Sequence, residues 1–290
     1  MPGRGHPLRR GDRKRRRIGG FGEASGRGSG VEDLVLAPRD FFIGLLDSPA
    51  MVANWTEEEA RLRQALCRIG ALCYSKGFIV GADGNLSARM SDGSILITPA
   101  GAMKGFLEPA HMAHVDLDGN PLDDGPRASS ETGIHLVSYR ERPEMRAVVH
   151  THPPHAVALT IAGIDQTLPV IPEIVVTIGG VPTTPYATPG TNELPESIRD
   201  VVRCSDTLIM KNHGAVTLGT NLMDAFKKLD MIEHTAKILW LAHVARGGLE
   251  PLPAEAVDKL LATRRKLGIE TTNTLENRCG LERDASSSRP

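Results

Sequence analysis

The sequence predicts an α/β fold, on three observations. Short apolar runs of β character, Ser94-Ile95-Leu96-Ile97-Thr98, Val148-Val149-His150 and Thr207-Leu208-Ile209-Met210, each stop at turn residues. Between them lie segments with apolar residues at helical spacing, above all 57–76 and 221–245. No internal repeat and no second core interrupts the alternation, so a chain of 290 residues, 40% of them hydrophobic, reads as one large domain between flanking tails.

Net charge is −1, but the first 50 residues hold 10 Lys+Arg against 6 Asp+Glu, and the rest holds 24 against 29. A mildly acidic body implies no nucleic-acid partner. Cys67, Cys73, Cys204 and Cys279 are widely placed, without a C-x-x-C pair or a secretory leader, and are expected as reduced thiols. No apolar run approaches the roughly 20 residues of a membrane span. A soluble, cytoplasmic protein is expected.

Residues 1–50 open with a Gly/Arg-rich stretch containing Arg13-Lys14-Arg15-Arg16-Arg17 and no helical or strand period. That composition predicts a disordered basic extension, since it buries too little apolar area to offset the entropy of ordering. It fits a nuclear-localisation or nucleic-acid patch, or else a solvated tail or a start assigned too early with Met51 the true beginning; the second pair is favoured. Phe41 to Leu46 is its one apolar patch. Thr56-Glu57-Glu58-Glu59 has the form of a capping box, and Leu62, Leu66, Ile69 and Cys73 then step along a helix that Gly77 stops. Gly81-Ala82-Asp83-Gly84-Asn85-Leu86-Ser87-Ala88-Arg89 is a Gly-rich turn feeding a strand, and Ser91-Asp92-Gly93 turns it into the run 94–98. A further strand is expected over 111–118. Ser129 is expected to cap a helix to about Arg140, and Pro154 begins another to about Ala162. The span 169–186 reads as two short strands around Gly179-Gly180, followed by a helix ending near Arg203. Helices over 221–245 and 253–267 and a loose tail complete the chain, giving a domain over 51–270 and a flexible tail over 271–290.

Alternate side chains on a strand share a face, so His150 and His152 project together and can chelate one metal ion. His213, at the end of the run 207–210 beside Gly214, is a third candidate ligand, and Glu131 a carboxylate candidate. Three neutral imidazoles with an exchangeable fourth position describe a catalytic zinc site. Spacing alone equally fits a strand whose histidines are partly exposed or hydrogen-bonded. The turn at Gly84-Asn85 admits either an anion-binding loop or a plain turn. Ser129-Ser130-Glu131 is either a helix cap or a phosphate-binding helix start holding Glu131 over the metal. Thr98-Pro99-Ala100-Gly101, with Lys104 behind it, is a second loop at a strand end. His135, one helical turn past Glu131, suits support of the site or packing. His111, His114 and His155 lack ligand spacing, and His234 and His243 are read as residues of helix faces.

Taken together, Gly84-Asn85-Leu86-Ser87, Thr98-Pro99-Ala100-Gly101, Ser129-Ser130-Glu131, His150-Thr151-His152 and Asn212-His213-Gly214 resemble the class II, zinc-dependent aldolase/adducin family over roughly residues 55–250. The resemblance implies a three-layer α/β/α domain around a mainly antiparallel sheet, and a cyclic homotetramer with active sites between subunits. It implies one Zn²⁺ on His150, His152 and His213, with Glu131 a fourth ligand at rest and then the acid/base. Gly84, Asn85, Gly101, Ser129 and Ser130 would form the phosphate pocket. The implied activity is a lyase, cleaving a small ketose phosphate or related hydroxy-ketone by retro-aldol reaction through a metal-stabilised enediolate. Decarboxylation of an oxo-acid phosphate, 4-epimerisation of a pentulose phosphate and dehydration of a thioribulose phosphate run through the same intermediate. The competing class is a non-catalytic scaffold like the adducin head, which lacks the metal ligands kept here. The chain departs from the family's aldolases at Ala82 and Ala100, where they carry threonine, which thins the phosphate contacts unless Lys104 compensates. Glu173 stands where they carry a tyrosine that acts across the subunit interface, and no Tyr follows Leu267.

Overall fold

In the computed structural model the described residues are 55–269, 271–273 and 275. The expected basic extension 1–50 with its Phe41–Leu46 patch, Met51, and most of the 271–290 tail lie outside them. The first helix, α1 (Glu57–Ser75), starts where Thr56 Oγ1 accepts the amide of Glu59 at 3.1 Å. The return half of the expected capping box does not form, because the Glu59 carboxylate turns forward to Arg63 Nε at 2.8 Å. That contact leaves Arg63 free to donate also to the Pro109 and Met112 carbonyls, which ties α1 to the loop beneath it.

Seven strands follow: β1 (Asn85–Arg89), β2 (Ile95–Ile97), β3 (Ala113–Val115), β4 (Ala147–Thr151), β5 (Thr183–Thr184), β6 (Thr207–Met210) and β7 (Gly214–Gly219). They form one sheet in the order β3-β2-β1-β4-β7-β6-β5, antiparallel throughout except for β5 beside β6. The helices are α2 (Thr132–Glu141), α3 (Pro154–Ile161), α4 (Pro172–Thr177), α5 (Glu193–Val202), α6 (Leu222–Arg246) and α7 (Ala254–Lys266). Period-two alternation sorts the sheet between two apolar layers. Ala147 and Val149 pack with Leu66 and Ile69 of α1, Leu159 of α3 and Leu229 and Ile232 of α6, whereas Val148 packs with Ile134 of α2 and Ile198 of α5. The result is an α/β/α sandwich with β4, buried along its whole length, in the middle. Each of these buried aliphatic side chains contributes about 1.5–3 kcal/mol over its exposed form.

The structure departs from the sequence expectation in several places. The span 169–186 holds helix α4 and only the two-residue β5, not two strands. Pro172 opens α4, and Gly179 at φ 73° closes it, its amide reaching the Ile174 carbonyl at 2.7 Å. Burial of Ile174 and Val175 against the core thus overrides the β preference of the run. The helix expected from Ser129 begins at Thr132 with Glu131 at its N-cap; Ser129 instead accepts the Glu131 amide in the preceding turn at 3.3 Å. The strand expected over 111–118 is confined to β3 behind a 3-10 turn at Pro109–His111. Strand β7 had no counterpart in the sequence reading. Cys67 and Cys73 are free, but Cys204 is disulfide-bonded, a pairing that wide spacing in sequence does not reveal. Among the described residues no helix is long and apolar enough to cross a membrane.

Candidate metal centre

Strand β1 starts, and β4 ends, at the same pole of the sheet, because the two are antiparallel with Asn85 opposite His150. The hairpin between β6 and β7 turns at that pole too, with Asn212 in the left-handed region at φ 56°. The pole therefore collects His150, His152 and His213. Their ring centroids stand 4.9 Å apart in every pairing, and one ring nitrogen from each lies within 4.8 Å of the others. His150 Nε2 is 3.2 Å from His152 Nε2 and 3.3 Å from Glu131 Oε2, and His213 Nε2 is 3.2 Å from Glu131 Oε1.

Protonation follows from the neighbours. His150 Nδ1 is 2.9 Å from the Ala215 carbonyl, which can only accept, so the proton sits on Nδ1 and the Nε2 lone pair faces the cluster. Burial, then the electrostatic influence of the neighbouring His150 and His213 rings, push His152 down to about 3, so it is neutral. Burial works to raise the Glu131 carboxyl, yet its contacts with His150 and His213 outweigh this and hold it well below the usual carboxylate range. With Nδ1 of His150 committed to Ala215, a cation held between the rings would supply positive charge beside Glu131 without a second proton. Spacing agrees: donors placed tetrahedrally at zinc bond lengths stand about 3.3 Å apart. The four side chains thus fit a metal ion.

Gly214 makes the convergence possible. A Cβ there would come within 2.4 Å of the Thr151 carbonyl, 2.6 Å of His152 Cδ2 and 2.8 Å of His150 Cε1. Gly214→Ala is expected to cost about 1–3 kcal/mol of stability by overpacking and to weaken divalent-ion binding. Urea denaturation and a chelator-competition titration check both, and an unchanged ion affinity would refute the steric account.

The remaining candidates cluster less evenly. Asn85 Nδ2 donates to Glu131 Oε2 at 3.0 Å and to Ser129 Oγ at 3.1 Å, which joins β1 to the start of α2. Gly84 lies against the His150 carbonyl, and the Asp83 carboxylate is 3.8 Å from His152 Nδ1. Lys104 is buried with its ammonium donating to the Ala82 carbonyl, so its charge sits beneath the 81–84 turn; burial pushes it down to about 8 against the pull of Asp83 and Glu131. Gly101 is exposed, in a loop held beside Arg127 and Ala128 by the Ala100 amide on the Arg127 carbonyl at 3.0 Å. Ser130 lines, with Glu131, Gly190, Thr191 and Asn192, a cleft of about 140 Å³. Sequence reasoning passed over Ala215 and the 190–192 wall. The alternation Ala215-Val216-Thr217-Leu218 would have signalled the strand carrying the first; nothing local signals the second.

The chain matches the Class II Aldolase and Adducin N-terminal domain over residues 64–240. It belongs to the class II aldolase and adducin family. Among curated members it is similar to the 3-oxo-tetronate 4-phosphate decarboxylase of Escherichia coli K12, at 32% identity over 194 residues, covering 66% of this chain and 91% of that protein. It is similar to the L-fuculose phosphate aldolase of Methanocaldococcus jannaschii at 34% over 169 residues, 58% of this chain and 90% of that one. The structure resembles YgbL of Klebsiella pneumoniae, assigned in the alternative as an aldolase, epimerase or decarboxylase, with TM-score 0.65 and 30% identity over 71% of this chain and all of that one. A solved L-fuculose 1-phosphate aldolase matches with TM-score 0.64 and 27% identity, over 71% and 96% of the two chains. These class II aldolase relatives share the α/β fold seen here.

Proposed function

We propose that this chain is a zinc-dependent lyase that breaks a carbon–carbon bond beside the carbonyl of a small phosphorylated substrate, with decarboxylation of a 3-oxo acid phosphate as the leading reaction. The observation that carries it is the meeting of His150, His152 and His213 in one cluster, with one carboxylate, Glu131, 3.2–3.3 Å from His213 and His150. Zinc held by the three imidazoles would act as a Lewis acid on the substrate carbonyl. Glu131, oriented by Asn85, carries the proton that the chemistry moves. Gly84, Asn85, Gly101, Ser129 and Ser130 are the phosphate-binding residues of this reading, because amides and the positive helix end at the start of α2 suit a phosphate and Lys104 adds charge below the 81–84 turn. Held there, the substrate keeps its carbonyl at the metal end of the site.

Proton count favours decarboxylation over aldol cleavage. When a 3-oxo acid loses CO2, the bonding pair remains on carbon and one proton must be delivered to it, which Glu131, ionised at rest, can relay from water. Aldol cleavage additionally removes a proton from the hydroxyl that becomes the aldehyde. Glu173 replaces the tyrosine expected for that step, and no Tyr follows Leu267. The E. coli relative is named for such a decarboxylation. Aldol cleavage of a ketose phosphate is the second reading, supported by the similarity to fuculose phosphate aldolases. The assembly we propose is the homotetramer of the family resemblance. Purified zinc-loaded protein is expected to release CO2 from a phosphorylated 3-oxo acid and to act poorly on the unphosphorylated acid. Aldehyde release from a ketose phosphate without CO2 chemistry would move the assignment to aldol cleavage, and absence of stoichiometric metal would return it to the scaffold class.

A further inference from the structure

Behind Asn85 a row of buried polar groups runs from the cluster into the α2 layer. Asn85 Oδ1 is 2.5 Å from His135 Nε2, His135 Nδ1 is 2.6 Å from Ser87 Oγ, and Ser87 Oγ is 2.7 Å from Tyr139 OH. Ser87, His135 and Tyr139 are fully buried and Asn85 nearly so. The row is built by two periodicities. Glu131, His135 and Tyr139 recur every four residues at the start of and along α2, and Asn85 and Ser87 are alternate residues on the facing side of β1.

Each proton in this row has only one place to be. An ionised Glu131 only accepts, so the atom of Asn85 that meets Oε2 at 3.0 Å is the Nδ2 donor. Oδ1 therefore faces His135 and needs a donor there, which puts a proton on Nε2. Burial pushes His135 down to about 3, so the ring holds one proton and Nδ1 accepts. Ser87 then donates to Nδ1 and accepts from Tyr139. We propose that His135 is a positioning residue of the site: as a neutral Nε2–H imidazole, itself oriented by Ser87 and Tyr139, it fixes the Asn85 amide and through it the Glu131 carboxylate. An Asn85 amide turned over would set Oδ1 against the carboxylate and Nδ2 against the Nε2–H of His135, so the donor at His135 secures from behind the orientation that Glu131 and Ser129 favour in front. The part of this inference that concerns turnover rests on the role proposed for Glu131; the proton arrangement does not.

The test has a spectroscopic and a kinetic arm, both on the metal-loaded protein. Long-range proton–nitrogen correlation of 15N-histidine-labelled protein is expected to show His135, assigned by its response to Tyr139→Phe, as the Nε2–H tautomer across the neutral pH range. A Nδ1–H ring or an imidazolium at that position overturns the proposal. His135→Phe keeps the ring volume and removes the donor; it is expected to retain full metal content and a KM within about twofold while kcat falls about 10–100-fold. His135→Gln, whose amide can place a donor near the Nε2 position, is expected to recover most of kcat. An unchanged kcat in His135→Phe, or equal losses in both variants, overturns the positioning role. If no substrate turns over, or neither variant folds, the wild-type tautomer alone decides, so failure of the proposed reaction and failure of this inference are read separately.

Discussion

His152→Ala is expected to lose bound metal and turnover together. The residue stands at the end of β4 with Nε2 3.2 Å from His150 Nε2, and removing it leaves two imidazoles and a carboxylate around an opened corner. Lewis-acid polarisation of a carbonyl is worth several kcal/mol, and at about 1.4 kcal/mol per tenfold in rate its loss amounts to about 10³-fold or more in kcat/KM. Because His152 is half-buried and lies beyond the β4–β7 pairing, the variant should fold. Metal analysis by mass spectrometry beside steady-state kinetics is the check. Substantial turnover in metal-free His152→Ala would discard the lyase assignment.

Glu131→Gln is expected to separate what His152→Ala removes together. Glutamine keeps the shape of the side chain, and the three imidazoles remain, so metal content should stay close to stoichiometric. The variant cannot take up or release the proton assigned to the carboxylate, and general acid–base catalysis contributes about 10²–10⁴-fold. Loss of kcat in that range with metal retained is the expected result. Turnover within a factor of a few of wild type would mean that another group moves the proton, with Asp83, whose carboxylate stands 3.8 Å from His152, the next to examine.

The fold class and the shared face of His150 and His152 were legible because both are local. Period two puts His150 and His152 on one face whatever surrounds them, and helices α1 and α6 announce themselves through Thr56 and Asn221 at their starts and an apolar stripe behind. What the sequence could not display was depth in the fold. The run 214–219 is bounded by glycines and short, so it had no counterpart in the sequence reading, yet as β7 it pairs with β4 through His150↔Val216 and Thr151↔Ala215 and brings His213 to the cluster. Helix α4 was mistaken for strand because the β preference of Ile174 and Val175 is visible in the letters and their burial is not. Ser129 has the composition of a helix cap, but its bonds to Asn85 and Glu131 are made before the helix starts. The donor role of His135 depends on Asn85 and Ser87 lying opposite it on another element, a relation that no single stretch of sequence contains.

The histidine cluster and the cleft on the other side of Glu131 differ in how they are held. The histidines hang from β4 and the β6–β7 hairpin, whose backbones are locked by the ladder, while Gly190, Thr191 and Asn192 sit in an exposed connection that pairs with no strand. Changes in that connection can lengthen, narrow or recharge the space beside Glu131 and leave the ligand set where it is. The geometry of the histidine cluster and the shape of the space beside Glu131 are therefore separable in this architecture, one set by the strand ladder and the other by a loop.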